Sequence, residues 1–263
     1  MDQKTIRACD KFEAMLLNAA KYTGNTEPGK KKFSASMLGN DVLQNFLKFK
    51  FGSHDGNKFE ANTLGSIYQL GVDEAVEINN QDDTKHSYIS AQRLYQTLSN
   101  GWEVSGEMDQ VDNENEVIFD NKVTTATAIG KVPTEGKEHG YALQMGTYKW
   151  LMYKEYGVLY QTVLPMVDKG YSYFKTNKND QLTFVDVETY TPDEIEEKLL
   201  TATNELQHYI DLDITPERCA NVWPMKRKGQ PAVMMRCKHY CDNSHNCPHY
   251  NSDYHDVNTL MDL

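Results

Sequence analysis

The chain has 263 residues and a formal net charge of -11, with 39% hydrophobic, 25% charged and 11% aromatic residues. That length can bury a substantial core without disulfides or a structural metal, and the composition is that of a packed globular protein rather than a disordered or fibrous one. The acidic balance excludes coating of nucleic acid by bulk positive charge. It is unevenly spread, however: residues 81–120 and 191–217 each carry -7, whereas 218–250 carry +5. No apolar run approaches the roughly 20 residues that span a bilayer. Residues 1–11 carry Asp2, Lys4, Arg7 and Asp10 where a signal peptide would be apolar, so a cytoplasmic protein with no membrane partner is expected.

In chain order, residues 3–22 read as a helix, with Ile6, Phe12, Met15, Leu16 and Ala19 near helical spacing, followed by a loop rich in Gly, Pro and Lys over 24–32. Ser34 and Ser36 offer N-caps for a helix through Met37, Leu38, Val42, Leu43, Phe46 and Leu47. Further helices are predicted over about 60–77 and 87–98, the latter ended by Asn100-Gly101. The period then changes. Trp102, Val104 and Gly106 alternate with polar residues, and 116–124 is rich in β-branched and aromatic residues, which predicts adjacent antiparallel strands joined through Asn113 to Asn115. A helix over 139–156 follows, then strands near 158–166, 171–174 and 182–187. Thr191-Pro192-Asp193 opens a helix that ends near Ile210. This order predicts a mixed α/β (α+β) fold: an N-terminal helix and loop over 1–32, a core over 33–212, and a small cysteine-rich C-terminal lobe and tail over 213–263.

The segment 101–125 carries the most chemical information. Asp109 ends one predicted strand, and Asp120 and Lys122 lie two apart on the next, on the face also occupied by Ile118. Two carboxylates within about 4 Å repel by roughly 4 kcal/mol at an effective dielectric of about 20, so a fold that converges them usually holds a divalent cation there. A lysine beside them would stabilise a developing anionic phosphorane or orient a water. That is the minimal equipment for metal-assisted phosphodiester hydrolysis, although the same residues, with Glu107, Asp112, Glu114 and Glu116 nearby, also suit a solvated strand. Gln144 and Tyr148, four apart on the helix 139–156, share one face and suit either a contact to phosphate or lysine, or a plain polar edge.

Four of the five cysteines, Cys219, Cys237, Cys241 and Cys247, crowd near the C-terminus, while Cys9 stands alone. Without a secretion signal, metal ligation is a better reading than disulfides. Four thiolates suit a tetrahedral Zn or an iron–sulfur cluster, and their spacing does not decide between them; His239, His245 and His249 are interleaved and could replace a thiolate at Zn. The same lobe carries Lys226, Arg227, Lys228, Arg236 and Lys238 with Trp223, Tyr240 and Tyr250 among them, a mixture that suits a single-stranded nucleic-acid backbone and its bases, or a solvated loop.

Taken in order, Gly-Glu-Met-Asp (106–109), Ile-Phe-Asp-Asn-Lys (118–122) and Gln-Met-Gly-Thr-Tyr (144–148) resemble the PD-(D/E)XK nuclease superfamily, and within it the RecB-type group with its Q-x-x-x-Y helix. Phe33 to Gly39 and Leu64 to Gly71 are similar to the helices that precede the catalytic strands, so the likeness spans roughly 33–150. The resemblance implies a restriction-endonuclease-like core and a Mg- or Mn-dependent deoxyribonuclease. It further implies an exonuclease or end-processing role on single- or double-stranded DNA ends in recombination, repair or phage DNA metabolism, alongside partner proteins of those processes. It makes Asp109 and Asp120 the metal ligands, Lys122 the catalytic lysine, and Gln144 and Tyr148 a supporting pair. Where many RecB-type nucleases have a metal-binding His this chain has Gln69, with Glu60, Glu74 and Glu77 near enough in sequence to compensate. CRISPR-adaptation and helicase–nuclease members hold a [4Fe-4S] cluster with one Cys ahead of the core and three after it. The triplet Cys237, Cys241 and Cys247 is similar, with Cys219 or Cys9 in place of the N-terminal partner, which favours that cluster over Zn. The rival expectation is a degenerate nuclease fold that binds nucleic acid without cleaving it.

Overall fold

The computed structural model describes residues 27–52, 59–82, 87–168, 182–220, 224–225, 233–234, 236–237, 241 and 243–250. The helix expected over 3–22 and the strand expected near 171–174 lie outside them, as do Cys9, Lys226, Arg227, Lys228, Lys238 and His239. No helix among the described residues is long and apolar enough to cross a membrane. The described residues divide into two compact units, one formed by 32–39 and 60–201 and the other by 27–31, 40–59 and 202 onward.

The first unit is a mixed sheet of β1 (Lys32–Ser34), β2 (Ile89–Thr97), β3 (Glu103–Asp112), β4 (Val117–Phe119), β5 (Lys122–Thr124), β6 (Gln161–Asp168) and β7 (Leu182–Asp186). The helices are α1 (Val42–Phe51), α2 (Phe59–Asn80), α3 (Ala126–Glu135), α4 (Gly140–Tyr156) and α5 (Pro192–Asp211). β3 is the hub: β2 runs antiparallel along one edge, while parallel β1 and antiparallel β4 share the two ends of the other. β4 and β5 both pair in parallel with β6 in one continuous register, Phe119 opposite Val163 and Lys122 opposite Met166, and antiparallel β7 closes the far edge of β6. They are therefore one strand interrupted at Asp120 and Asn121. The expected mixed α/β class is what is observed.

Burial explains the layering. Val104, Met108, Ile118, Leu164 and Met166 project from the sheet into the core, and Ala142, Met145, Leu151 and Met152 come down on it from α4. Gly106 permits this approach: a Cβ there would lie 2.7 Å from Leu151 Cδ1 and 2.8 Å from the Tyr148 ring. Helix α5 begins with the Thr191-Pro192 signal read from the sequence, realised as a reciprocal capping box in which Glu194 N donates to Thr191 Oγ1 and Thr191 N to Glu194 Oε2. Its first turns lie close enough to α4 that a Cβ at Gly146 would meet Ile195 Cδ1 at 2.7 Å.

Three expectations about elements need correction. Residues 87–98 are not a helix: Ile89–Thr97 form β2, paired with β3 at every position but Ala91 through the turn at Asn100-Gly101. Ala91, Gln92, Arg93 and Leu94 favour helix intrinsically, but a neighbouring strand joined by a tight turn outweighs that propensity. The helix expected from Ser34 to Leu47 is split into β1, a 3-10 turn at Ala35–Met37 and α1, because Phe33 and Met37 are buried while Gly39 to Asp41 separate them from the helix. Residues 126–135, where no element is expected from the sequence, form helix α3, which contains Pro133 and is started by Thr125, whose hydroxyl accepts from Ala128 N.

In the second unit α1 buries Leu43, Phe46 and Leu47. Asn243 Nδ2 donates to Gly52 O at 2.9 Å, tying the cysteine-rich tail to the end of that helix. β8 (Pro224–Met225) and β9 (Val233–Met234) form a short antiparallel ribbon.

Candidate active site

The site lies where β4 gives way to β5. Asn and Asp are poor strand residues, and at Asp120-Asn121 the ladder to β6 is held only by Asp120 N on Val163 O at 3.3 Å. The break frees the Asn121 main-chain N–H, which donates to Asp109 Oδ2 on β3 at 2.7 Å. In this way the hairpin from β3 to β4 brings Asp109 beside Asp120. Opposite Asp109 on β2 stands Ala91, a non-glycine residue in the left-handed region at φ 52°, where the pairing of β2 with β3 skips one position.

Asp120 is only 2% exposed. Its Oδ2 pairs with the Lys122 ammonium but accepts no aligned hydrogen bond, while its Oδ1 faces Gln144 Nε2 at 3.4 Å. Gln144 Nε2 also lies 2.8 Å from the Tyr148 hydroxyl, one turn further along α4. All five expected site residues, Asp109, Asp120, Lys122, Gln144 and Tyr148, thus belong to one neighbourhood. Tyr148 reaches it because Gly106 leaves room for its ring.

Electrostatics follow from this packing. Burial, then the Asp120 carboxylate, push Asp109 up to about 7, against the lowering effects of Lys122 and the Asn121 N–H; Asp73 pushes further in the same direction. Burial works against the charge on Lys122, but Asp120 and Asp109 outweigh it and hold the ammonium above the ordinary lysine range. The Tyr141 ring lies 5.3 Å from Lys122 Nζ, and burial raises its phenol above the usual value. His139 caps α4 just ahead of it, Nδ1 accepting from Tyr141 N at 3.2 Å.

Four participants were not singled out from the sequence: Asp73, Gln110, Asn121 and Tyr141. Gln69, at the position of the missing His, donates through Nε2 to Asp73 Oδ1 at 2.9 Å and accepts through Oε1 from Asn121 Nδ2 at 3.0 Å. Gln110, 4% exposed, repeats the pattern, donating to Asp73 Oδ1 at 3.3 Å and accepting from Asn121 Nδ2 at 2.6 Å. Of the acidic residues on α2 it is Asp73, not the exposed Glu74 or Glu77, that enters the site; the side chain of Glu60 is outside the described ones. Two other acids of the segment have structural partners. Asp112 accepts from Asn115 N and Nδ2 in the turn after β3, and Glu107 pairs with Arg93 across to β2.

The donor chemistry fits a divalent cation. Hard carboxylate oxygens are the preferred ligands of Mg and Mn, which often bind through one or two carboxylates and leave other positions to water and substrate phosphate. The buried Asp120 Oδ2, whose partner is the Lys122 ammonium, is the oxygen such an ion would share. Among the described residues no three His, Cys, Asp or Glu side chains close on a single point.

In the second unit Cys219, Cys237, Cys241 and Cys247 are all unpaired thiols, and all four line one small cavity floored by Leu43 and Leu47 of α1. Burial pushes Cys219 up to about 12, with Asp41 adding to it, and raises Cys237 and Cys247, to which neighbouring thiols also contribute. Arg236 is turned inward to Asp41 and to Gln44 Oε1 at 2.8 Å. His249 contacts Pro216 O at 3.3 Å.

No protein-family model and no curated protein matches this sequence. Among solved structures the chain is similar to the protein SSO0001, with a TM-score of 0.56 at 14% identity over 92% of this chain and 97% of that one. It is also similar to a phage-related exonuclease from Haemophilus somnus 129PT, with a TM-score of 0.44 at 16% identity over 69% of this chain and 94% of that one. The first of these likenesses shows a shared fold over nearly the whole of both chains.

Proposed function

We propose that this chain is a divalent-metal-dependent DNA nuclease of the RecB type, an exonuclease or end-processing enzyme that hydrolyses phosphodiester bonds in the cytoplasm. The observation that carries this reading is the meeting of Asp109, Asp120 and Lys122 at a strand break, with Gln144 and Tyr148 behind them. Mg or Mn held by Asp109 and Asp120 would supply Lewis-acid polarisation of the phosphodiester and a more acidic attacking water. Lys122, kept charged by its two carboxylate neighbours, stabilises the negative charge that develops on the phosphoryl oxygens. Gln144 steadies the Asp120 carboxylate and is itself anchored on Tyr148. Tyr141 screens one side of the ammonium from water.

For the cysteine cavity a [4Fe-4S] cluster is proposed ahead of Zn, supported by the gathering of four thiols around one space and by the family likeness of the triplet. Lys226, Arg227, Lys228 and Lys238 are proposed to contact the DNA backbone. Arg236, engaged with Asp41, is a weaker candidate for that role. The nuclease reading is tested by digesting linear DNA with Mn present. Asp120→Ala and Lys122→Ala should each lower the rate by at least about a hundredfold, and undiminished digestion by both variants would refute the assignment.

A further inference from the structure

The hydrogen bonds around Asn121 close into a ring that the proposed reaction does not use. Asp73 Oδ1 accepts from Gln69 Nε2 and Gln110 Nε2, and the oxygens of those same amides both accept from Asn121 Nδ2. An ionised carboxylate has no hydrogen to donate, so it forces both glutamine NH2 groups toward itself and both amide oxygens toward Asn121. The ring joins α2, β3 and the break between β4 and β5. It reaches the cation site through the Asn121 main chain, whose N–H holds Asp109 Oδ2 at 2.7 Å, and through Gln110, the residue after Asp109.

We propose that Asp73 is a positioning residue for the cation site, acting through Gln69, Gln110 and Asn121 to fix the strand break and thereby Asp109. The inference rests on the reading that Asp109 and Asp120 hold a divalent cation. Gln69 is then a strut rather than a substitute ligand, since both ends of its amide are committed within the ring. Partners that orient a metal-binding carboxylate typically change metal affinity by about 10- to 100-fold when removed.

Both glutamines bond the same oxygen of Asp73, which separates positioning from charge. Asp73→Asn keeps an acceptor at Oδ1 while it loses the charge and turns Oδ2 into a donor, whereas Asp73→Ala loses charge and acceptor together. The test is calorimetric titration of the full chain with Mn, with melting curves in EDTA to confirm folding. Asp73→Ala and Asn121→Ala should each weaken Mn binding by about tenfold or more, the double variant should be no worse than either single one, and Asp73→Asn should stay within about threefold of the wild type. If Asp73→Ala does not fold, Asn121→Ala and Asp73→Asn carry the same contrast. Wild-type affinity in Asp73→Ala or in Asn121→Ala, or a loss in Asp73→Asn as large as that in Asp73→Ala, overturns the positioning role. Asp109→Ala separates the two readings. If it abolishes binding while Asp73→Ala leaves it intact, only the positioning role falls; if the wild type binds no Mn, the cation site falls with it.

Discussion

Around Asp109 and Asp120 a counter-charge is already in place, supplied by Lys122 and by the main-chain N–H of Asn121. Around the cysteine cavity Cys219, Cys237 and Cys247 are instead raised by burial and by neighbouring thiols, more than Arg236 and Arg218 nearby lower them. On the proposed reading, the carboxylate site can therefore stand assembled without its ion and exchange it. Cys219, Cys237 and Cys247, raised as they are, would have to give up their protons to the proposed cluster or Zn, so loading there would be coupled to deprotonation. The same physical problem, buried ligands of one kind crowded together, is met in one unit by a fixed cation at Asp120 together with a raised Asp109, and in the other mainly by raised thiols.

The largest expected effect comes from removing the fixed cation. Lys122→Ala leaves Asp120 buried without its ammonium and should destabilise the metal-free protein by about 3–5 kcal/mol, partly recovered by Mn. Urea unfolding with and without Mn measures this, and a loss below about 1 kcal/mol would mean that the pair is not what holds the charge. At the cysteine cavity, each proton displaced should steepen loading with pH. Because Cys219, Cys237 and Cys247 all titrate above their ordinary values, affinity for a thiophilic ion such as Co should rise by about tenfold or more per pH unit between about pH 6 and 8. A flat profile would contradict protonated thiols.

The smallest effect concerns Asp109 without metal. Its carboxyl is raised to about 7 in the folded chain against an ordinary 3.8, so the native state binds the proton more tightly. Its stabilising contribution is whole below pH 3.8 and is lost as pH rises through about 7. Asp109→Asn should consequently raise the melting temperature in EDTA at about pH 8 by several degrees and leave it nearly unchanged near about pH 4. A lower melting temperature at the higher pH would show that the ionised carboxylate is stabilising instead.

Asp109, Asp120, Lys122, Gln144 and Tyr148 were legible because they fall on regular elements, where strand and helix periods say which residues share a face. The ring that supports them was not. Asp73 sits on α2 beside Glu74 and Glu77, and which face of that helix turns to the sheet depends on long-range packing that no local pattern records. β2 was misread for a related reason: Ala91 to Leu94 favour helix, and only pairing with β3 makes them a strand. Asn121 left a faint signal, an Asn beside an Asp inside a β-branched run, which is where a strand breaks. The cysteines were legible as a group from composition alone, but the floor that Leu43 and Leu47 give them comes from some 170 to 200 residues earlier in the chain.

Hydrolysis itself is tested most directly by oxygen transfer. Linear DNA is incubated with the protein and Mn in isotopically labelled water, and the released nucleotides are weighed by mass spectrometry. Attack by water puts a single labelled oxygen on each terminal phosphate formed, with none released by Asp120→Ala. Retained DNA binding with no labelled product from the wild type would contradict a nuclease and leave a binding protein.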